Sequence, residues 1–129
     1  MRQAPANIEV ALIAWLKSQL GATQVGTRVP STRPDKFIKL TRAGGQPTNI
    51  LQSEPRILVE CWGNTDQAAW ELTVAAWAAI GDTDGRTLGQ GIWVAHVAAT
   101  EPVNYPDDAT GSPRYQLIAV LTIDLEELP

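Results

Sequence analysis

An alanine-rich segment, NTDQAAWELTVAAWAAIG at residues 64–81, constrains the fold more than any other part of the sequence. Trp70, Val74 and Trp77 recur at helical spacing and form an apolar stripe, with Thr73 and Ile80 beside it. Six alanines in the same segment allow a close approach to a sheet. The segment therefore predicts a helix with a strongly apolar face, packed against a sheet.

The two ends of this helix carry their own signals. Asn64 followed by Gln67 fits a capping box, and Thr65 is an alternative N-cap. Asp66 lies where the positive end of the helix dipole favours an acid. Gly81 is predicted to end the helix.

The remaining elements follow from apolar periodicity and from turn residues. Besides the alanine-rich helix, we predict a helix at 7–20 and strands at 23–30, 36–42, 56–62, 92–100 and 114–125, the last of them central. In the fourth strand, alternation puts Trp93 and Val97 on one face and Val94 and His96 on the other. Residues 43–55 and 82–91 are predicted to be loops.

The order α-β-β-β-α-β-β predicts an α+β fold, with a single mostly antiparallel β-sheet and two packed helices. A chain of 129 residues is expected to form one domain, residues 1–129. The N-terminal segment does not look like a signal peptide, because Glu9 and Lys17 interrupt its apolar run. No stretch is apolar for long enough to predict a membrane span.

Charge is unevenly distributed along the chain. The net charge is −4, which argues against a protein that coats nucleic acid. Residues 28–56 contain six basic and two acidic residues, whereas residues 101–129 contain six acidic residues and one basic residue. Either the surface is simply a solvated mixture, or the basic part of one copy meets the acidic part of the next.

Residue patterns for metal binding are incomplete. Asp107 and Asp108 are adjacent, without the alternating oxygen ligands of a calcium loop. The segment DTDGRT, with Asp82 and Asp84, has no acid at the twelfth position. The lone Cys61 does not supply a zinc site. We expect no metal and no cofactor.

Catalytic patterns are equally weak. His96 is the only histidine, and its place in the middle of a predicted strand favours a structural role. No nucleophile elbow, Walker loop or dinucleotide fingerprint is present in the sequence. The segment PDDATGSPRYQ at 106–116 is better explained as a shaped acidic connector, and the chain is not expected to be an enzyme.

Four segments together resemble the tail terminator proteins of long-tailed bacteriophages. These are RVPSTRPDKFIKLTRAGG, ILVECWG, DQAAWELTVAAWAAI and YPDDATGSPRYQLIAVLTIDL, and the resemblance covers roughly residues 5–125. Its most specific parts are Arg33-Pro34 before Phe37, and the segment that runs from Pro106 to Tyr115.

The resemblance implies a subunit of a ring, usually of six copies, located in the virion at the head-proximal end of the tail. Such a ring caps the tail tube, ends tail polymerisation and joins the tail to the head connector. Its implied partners are further copies of itself, the tail tube protein and the head-closure protein. Double-stranded DNA would pass through its lumen without specific binding, and no membrane is involved.

Two hypotheses place individual residues in such a ring. Basic side chains of one copy would meet acidic side chains of the next, with a tryptophan as anchor. The residues of this interface hypothesis are Arg33, Lys36, Arg42, Trp62, Trp93, Glu101 and Arg114, with Asp107 or Asp108 as acidic partners. An acidic lumen that does not grip phosphates is the second hypothesis, and its residues are Asp82, Asp84, Asp107 and Asp108.

Alternatives remain open from the sequence. A head-closure, tail-completion or tail tube protein would belong to the same structural class. A small partner-binding α+β module of a bacterial cell is a different class. An enzyme that uses His96 and Asp107 is the third alternative.

Overall fold

The computed structural model describes residues 2–21 and 23–129. The helices are α1 (Ile8–Leu20) and α2 (Asp66–Gly81). The strands are β1 (Arg2–Ala4), β2 (Gln24–Gly26), β3 (Phe37–Pro47), β4 (Gln52–Trp62), β5 (Arg86–Leu88), β6 (Ile92–Ala99), β7 (Val103–Asn104), β8 (Arg114–Asp124) and β9 (Glu126–Leu128).

The main sheet has the strand order β2-β3-β4-β8-β6-β5, and β7 pairs with β8 outside this path. Its pairs are antiparallel except for the parallel pair β2–β3. Strands β1 and β9 form a separate two-stranded ribbon. The predicted α+β fold is confirmed, including the central position of β8, and the short strands β1, β5, β7 and β9 are additions to it.

Helix α1 forms where the apolar spacing predicts it. Asn7 caps its N-terminus, with its side-chain oxygen accepting from the backbone N–H of Val10 at 3.4 Å. Ile8, Leu12 and Leu16 are fully buried along one face. Burying side chains of this size contributes about 1.5–3 kcal/mol each, so this face fixes the helix on the sheet.

The central strands show which sheet face carries the core. Leu40, Val59 and Leu117 lie opposite one another on β3, β4 and β8, and all three are buried beside the helices. The next row, one residue along each strand, points to the other face and contains Lys39 and Glu60. This alternation is the period-two pattern that the sequence shows in residues 36–42.

The predicted loop at 43–55 is wrong. Strands β3 and β4 continue through most of it, and only residues 48–51 form the turn. The register shifts between Arg42 and Gly45, where a bulge bends the ladder. Gly44 and Gly45 have φ angles of 81° and 124°, so the glycines that suggested a reversal form the bulge instead.

The predicted faces of β6 are only half right. Ile92 and Val94 share one face, as predicted, and both point to the core. The pairing with β8 then shifts by one residue between Val94 and His96. A one-residue shift exchanges the two faces, so Val97 packs against the core and His96 is exposed. Part of the predicted loop at 82–91 forms β5, and the predicted strand at 23–30 shrinks to three residues.

Helix α2 is rotated relative to the face that its tryptophans suggest. Its buried residues are Ala69, Leu72, Thr73, Ala76, Ala79 and Ile80. Trp70, Val74 and Trp77 are exposed, at 41%, 38% and 41%. The alanines decide this orientation, because small side chains let the helix backbone approach the sheet more closely than a tryptophan face would.

The cap of α2 is Thr65, whose hydroxyl accepts from the backbone N–H of Ala68 at 3.0 Å. The Gln67 side chain donates to Glu71 rather than reaching back to a capping box on Asn64. The alternative prediction, Thr65 as the N-cap, is therefore confirmed, and the predicted capping box of Asn64 and Gln67 is wrong.

Candidate functional site

A stack of aromatic rings and guanidinium groups occupies one end of the sheet. Phe37, Trp62 and Arg114 are opposite one another on β3, β4 and β8. The rings of Phe37 and Trp62 are stacked, with centroids 4.5 Å apart and planes 12° apart. Arg33 lies over Phe37 at 5.6 Å, and Arg114 lies over both Trp62 at 5.4 Å and Tyr105 at 5.2 Å. These cation–π contacts hold the segments before β3 and β8 against the sheet.

Asp107 is the polar centre of this stack. Its carboxylate accepts from the indole N–H of Trp62 at 3.2 Å, from Arg33 at 3.4 Å and from the backbone N–H of Ala109 at 3.0 Å. Desolvation alone would raise the pKa of Asp107, but these hydrogen bonds and the charges of Arg114 and Arg33 outweigh it and lower the pKa. Asp107 is thus held ionised by the stack.

Glu60 joins the same end of the sheet. It is buried, and its carboxylate accepts from Arg114 at 3.1 Å and lies 4.0 Å from Lys39. Two cations around one buried carboxylate offset its desolvation. The geometry is that of a structural ion-pair cluster.

Several residues of the interface hypothesis are engaged within one chain. Arg33 contacts Asp107 of the same chain, and Trp62 is only 3% exposed. Arg114 is bound to Glu60. Arg42 donates to the carbonyl of Ala6 at 2.7 Å. Their role between subunits stays a prediction, and any such role would be added to these contacts.

The other interface residues are more accessible. Trp93 and Glu101 are exposed on β6 and just after it. Lys36 is also exposed, and it lines a cleft of about 280 Å³ together with Leu20 of α1 and Glu71 of α2. Within the described residues, Lys36 and Glu101 make no ion pair.

The four acids of the lumen hypothesis lie in two separate places. Asp84 accepts from the backbone N–H of Val97 and lies 3.1 Å from His96. Val97 pairs with Leu121, whereas Asp107 contacts the row that contains Arg114. Seven residues of strand separate these rows, about 23 Å. Asp82 and Asp108 are exposed beside Asp84 and Asp107 respectively.

Cys61 lies buried between β3 and β8, against Thr73 of α2. Burial raises the pKa of its thiol to about 12, opposed by a hydrogen bond with Thr73 and reinforced by the charge of Glu60. In residues 2–21 and 23–129, no cluster of three or more His, Cys, Asp or Glu side chains could hold a metal ion. No helix within those ranges is long and apolar enough to cross a membrane.

The exposed stripe of α2 is a surface that the sequence analysis placed on the packed side. Trp70, Val74 and Trp77, defined here as the tryptophan flank, lie on the side of α2 away from Ala68 and Ala75, which line the cleft towards α1. Trp70 meets the edge of Tyr115 on β8, with centroids 5.4 Å apart. Leu72, Ala76 and Ile80 also recur at helical spacing, and this second apolar stripe was the available sequence signal that the flank could be exposed.

Two sheet edges are only partly covered. Strand β2 pairs with β3 at residues 37–39, and β5 pairs with β6 at residues 92–94. Beyond these positions, no described strand pairs with the outer edges of β3 and β6. Carboxylates occupy one N–H on each edge, since Glu9 accepts from Arg42 at 3.0 Å and Asp84 from Val97 at 3.1 Å. Such capping blunts edges that could otherwise pair with another chain.

Comparison with known proteins finds a likeness in structure. No family model matches the sequence, and no curated protein matches it. Among solved structures, a chain described as "Virion of native gene transfer agent (GTA) particle" is similar, with a TM-score of 0.54 and 13% sequence identity. The similarity covers 91% of this chain and 94% of that chain, so the two share a fold along nearly their whole lengths.

Proposed function

We propose that this protein is a structural component of a virion rather than an enzyme. The observation that carries the proposal is the fold shared with a chain of a gene transfer agent virion, over 91% of one chain and 94% of the other. The polar groups at this end of the sheet support it, because Asp107 is paired with Arg33 and Trp62, and Glu60 is paired with Arg114, within the same chain. An ion-pair cluster of this kind stabilises the fold of the subunit.

Within the virion, we propose that the protein forms a six-membered ring that caps the tail tube, ends tail polymerisation and joins the tail to the head connector. The sequence resemblance to tail terminators supports this finer role. A closed ring needs two different surfaces that fit each other. The partly covered edges of β3 and β6, on opposite sides of the sheet, are suitable surfaces.

Strand directions are compatible with such closure. Successive antiparallel pairings from β3 through β4 and β8 to β6 make β3 and β6 run in opposite directions. A neighbouring copy in the same orientation would therefore present its β3 antiparallel to β6, the geometry of sheet extension. Lys36 on the β3 side and Glu101 on the β6 side are accessible charges that could set this orientation.

The charge part of this contact is best tested at Lys36. An Arg33 variant would also loosen Asp107, whereas Lys36 makes no ion pair in the described part of the chain. We expect Lys36→Glu to slow ring assembly at low salt, with assembly of the unmodified protein weakening as salt rises. Normal assembly of Lys36→Glu together with insensitivity to salt would contradict the charge contact.

For the lumen, we propose that an acidic wall lets the DNA duplex slide past without phosphate contacts. Asp82 and Asp108 are the clean positions for a test, because Asp84 and Asp107 hold contacts within the chain. Charge reversal of either residue to Lys should slow DNA ejection from reconstituted particles. Ejection at the unmodified rate from both variants would contradict the lumen assignment.

Electron microscopy of tails assembled with and without this protein tests the function directly. A terminator predicts tails of uniform length that join filled heads when the protein is present, and overlong, unjoined tails when it is absent. Tails of normal length that fail to join heads would instead favour a head-closure or tail-completion protein, and unlimited stacking of the pure protein would favour a tube protein. A monomer that never joins tails would favour a cellular binding module.

A further inference from the structure

The outer edge of β6 carries a hydrogen bond for which a strand of another copy would compete. Strand β5 covers this edge at residues 92–94, and no other described strand pairs with it. Beyond β5, the N–H of Val97 donates to the carboxylate of Asp84 at 3.1 Å. Asp84 lies in the loop between α2 and β5, on the outer side of β6. The N–H of Val97 therefore points away from β8, and it is a donor that an added strand would use.

The side chain of Asp84 is held at the surface of the protein. The ring nitrogen Nδ1 of His96 lies 3.1 Å from Oδ2 of Asp84, the same oxygen that accepts from Val97. The Asp84 side chain is 44% exposed and the His96 side chain is 67% exposed. Hydrogen bonds between exposed groups compete with water and contribute little net free energy. The carboxylate can therefore leave Val97 at a small cost.

The backbone around Asp84 is fixed independently of its side chain. The N–H of Asp84 donates to the carbonyl of Gly81 at 3.2 Å, and the N–H of Gly85 donates to the carbonyl of Val94 at 2.8 Å. These bonds tie the loop to the end of α2 and to β6. Rotation of the Asp84 side chain would therefore uncover the N–H of Val97 while the loop stays in place.

The corresponding carboxylate on the β3 edge is held in a different way. Glu9 of α1 accepts from the N–H of Arg42 at 3.0 Å, and the guanidinium of Arg42 donates to the carbonyl of Ala6 at 2.7 Å. Both bonds are partly buried and join the N-terminal end of α1 to the sheet. Asp84 is therefore the edge carboxylate that a side-chain movement alone can displace.

We propose that Asp84 is a latch on the β6 edge, which occupies the N–H of Val97 in the free subunit and is displaced by a backbone carbonyl of the next copy's β3 when the ring closes. One N–H makes one in-line hydrogen bond, so the two acceptors exclude each other. The apparent affinity between copies is then reduced by the fraction of subunits in which the latch is open. This inference rests on the proposed ring with sheet extension, and it adds how pairing of free subunits is held back.

Hydrogen exchange of the Val97 amide, measured by mass spectrometry on peptides within residues 92–99, tests the displacement. In free subunits, Asp84→Ala should speed this exchange about threefold or more, because the amide loses its acceptor. In rings assembled on tails, the amide should exchange equally slowly in the variant and the unmodified protein, because a carbonyl of the next copy has replaced the carboxylate. Equal exchange in the free subunits, or a difference that persists in the rings, would overturn the proposal.

Two further variants separate the hydrogen bond from the charge of Asp84. Asp124→Ala is the matched control, because Asp124 is exposed at the same end of the sheet and makes no ion pair in the described part of the chain. It should leave exchange at Val97 unchanged. Asp84→Asn keeps an oxygen that can accept from Val97, so it should also exchange slowly in the free subunit. If Asp84→Asn exchanged as fast as Asp84→Ala, charge and not the hydrogen bond would be responsible, and the latch would be ruled out.

Titration of tails assembled without the protein separates this inference from the proposed function. The concentration at which half of the tails join heads, counted by electron microscopy, should be about threefold lower for Asp84→Ala than for the unmodified protein, because no carboxylate competes for Val97. If Asp84→Ala needs the same or a higher concentration, the latch inference fails and the function stands. If neither protein restores joining, the function itself fails.

Discussion

At the scale of single residues, the stack beside Asp107 shows how a polar loop becomes part of a rigid frame. Asp107 receives three hydrogen bonds, and the backbone N–H of Gly111 donates to its carbonyl, so residues 107–111 close on themselves. Gly111 has a φ of 70°, which favours glycine. The sequence reading of this segment as a shaped connector agrees with this arrangement.

The Asp107 carboxylate should stabilise the fold in a pH-dependent way. Asp107→Asn should lower the free energy of unfolding by about 1–2 kcal/mol at neutral pH. Because folding lowers the pKa of Asp107, its contribution is complete above the unfolded pKa of about 4 and is lost as pH falls through the lower folded pKa. The difference in unfolding free energy between the unmodified protein and Asp107→Asn should therefore shrink below about pH 4.

Urea unfolding at a series of pH values measures this gap. The exposed neighbour Asp108 makes no side-chain hydrogen bond in the described part of the chain, so Asp108→Asn should change the free energy of unfolding by no more than about 0.5 kcal/mol. If Asp107→Asn lowered the free energy of unfolding by the same amount at every pH, the carboxylate would act through its shape and not through its charge.

The thiol of Cys61 should be unreactive in the folded protein. Its pKa of about 12 keeps it protonated at pH 8, and burial blocks access to reagents. A thiol reagent such as Ellman's should label less than a tenth of the protein in buffer and all of it in urea. The exposed thiol of Val74→Cys serves as the positive control, and rapid labelling of native Cys61 would contradict its placement between sheet and helix.

At the scale of elements, caps and bulges decide where helices and strands begin and bend. Thr65 and Asn64 are both good capping residues, and only the geometry of the chain leaving β4 selects Thr65. Gly63 lies so close to Ala69 of α2 that a Cβ there would be 2.6 Å from its backbone nitrogen. The tight exit from β4 thus fixes the first turn of α2.

Replacing each candidate cap with alanine should show which of the two residues caps α2. Thr65→Ala should cost about 1 kcal/mol of unfolding free energy, because it leaves the N–H of Ala68 without its partner. Asn64→Ala should cost no more than about 0.5 kcal/mol. Thermal or urea unfolding measures both, and a larger loss in Asn64→Ala would restore the capping box.

The bulge in the β3–β4 hairpin should be sensitive at one glycine more than at the other. A Cβ on Gly45 would collide with the backbone carbonyl of Glu54, whereas a Cβ on Gly44 would meet nothing within 4 Å. Both have positive φ, so each alanine costs about 1 kcal/mol from strain alone, and Gly45→Ala should cost clearly more. Hydrogen exchange of residues 43–55 should rise most in Gly45→Ala, and equal exchange in the two variants would contradict the close approach.

At the scale of the whole molecule, one cluster of buried side chains links every large element. Ile8 and Leu16 of α1, Val59 of β4, Ile80 of α2 and Leu121 of β8 all belong to it. A core shared in this way couples the helices to the sheet, so neither half retains its own buried surface without the other.

Unfolding should therefore be a single cooperative transition, as expected for one domain. Tryptophan fluorescence, which reports on the stack at Trp62 as well as on exposed rings, and far-ultraviolet circular dichroism should give the same urea midpoint. The turn between β3 and β4, at the end of the sheet, should exchange its amide hydrogens earlier than the core. Two separated transitions would show that the chain divides into units that the shared core does not couple.

The sequence by itself determined the class of fold, the two helices and the central strands. These depend on local periodicity, as in Ile8, Leu12 and Leu16 or in the alternation at Ile38 and Leu40. Such local patterns can be read from neighbouring residues, without knowledge of the tertiary contacts. The turn-rich character of residues 106–113 was also local, and the structure shows it as such.

Only the tertiary structure decided which of two apolar stripes on α2 is buried and which charges pair. The choice between Trp70–Trp77 and Leu72–Ile80 depends on how closely a helix backbone fits a sheet, a property of two surfaces together. The exchange of faces in β6 depends on one unpaired residue in its ladder with β8. Arg33 meets Asp107, 74 positions away, because β3, β4 and β8 bring their ends into one row, and no local pattern encodes that meeting.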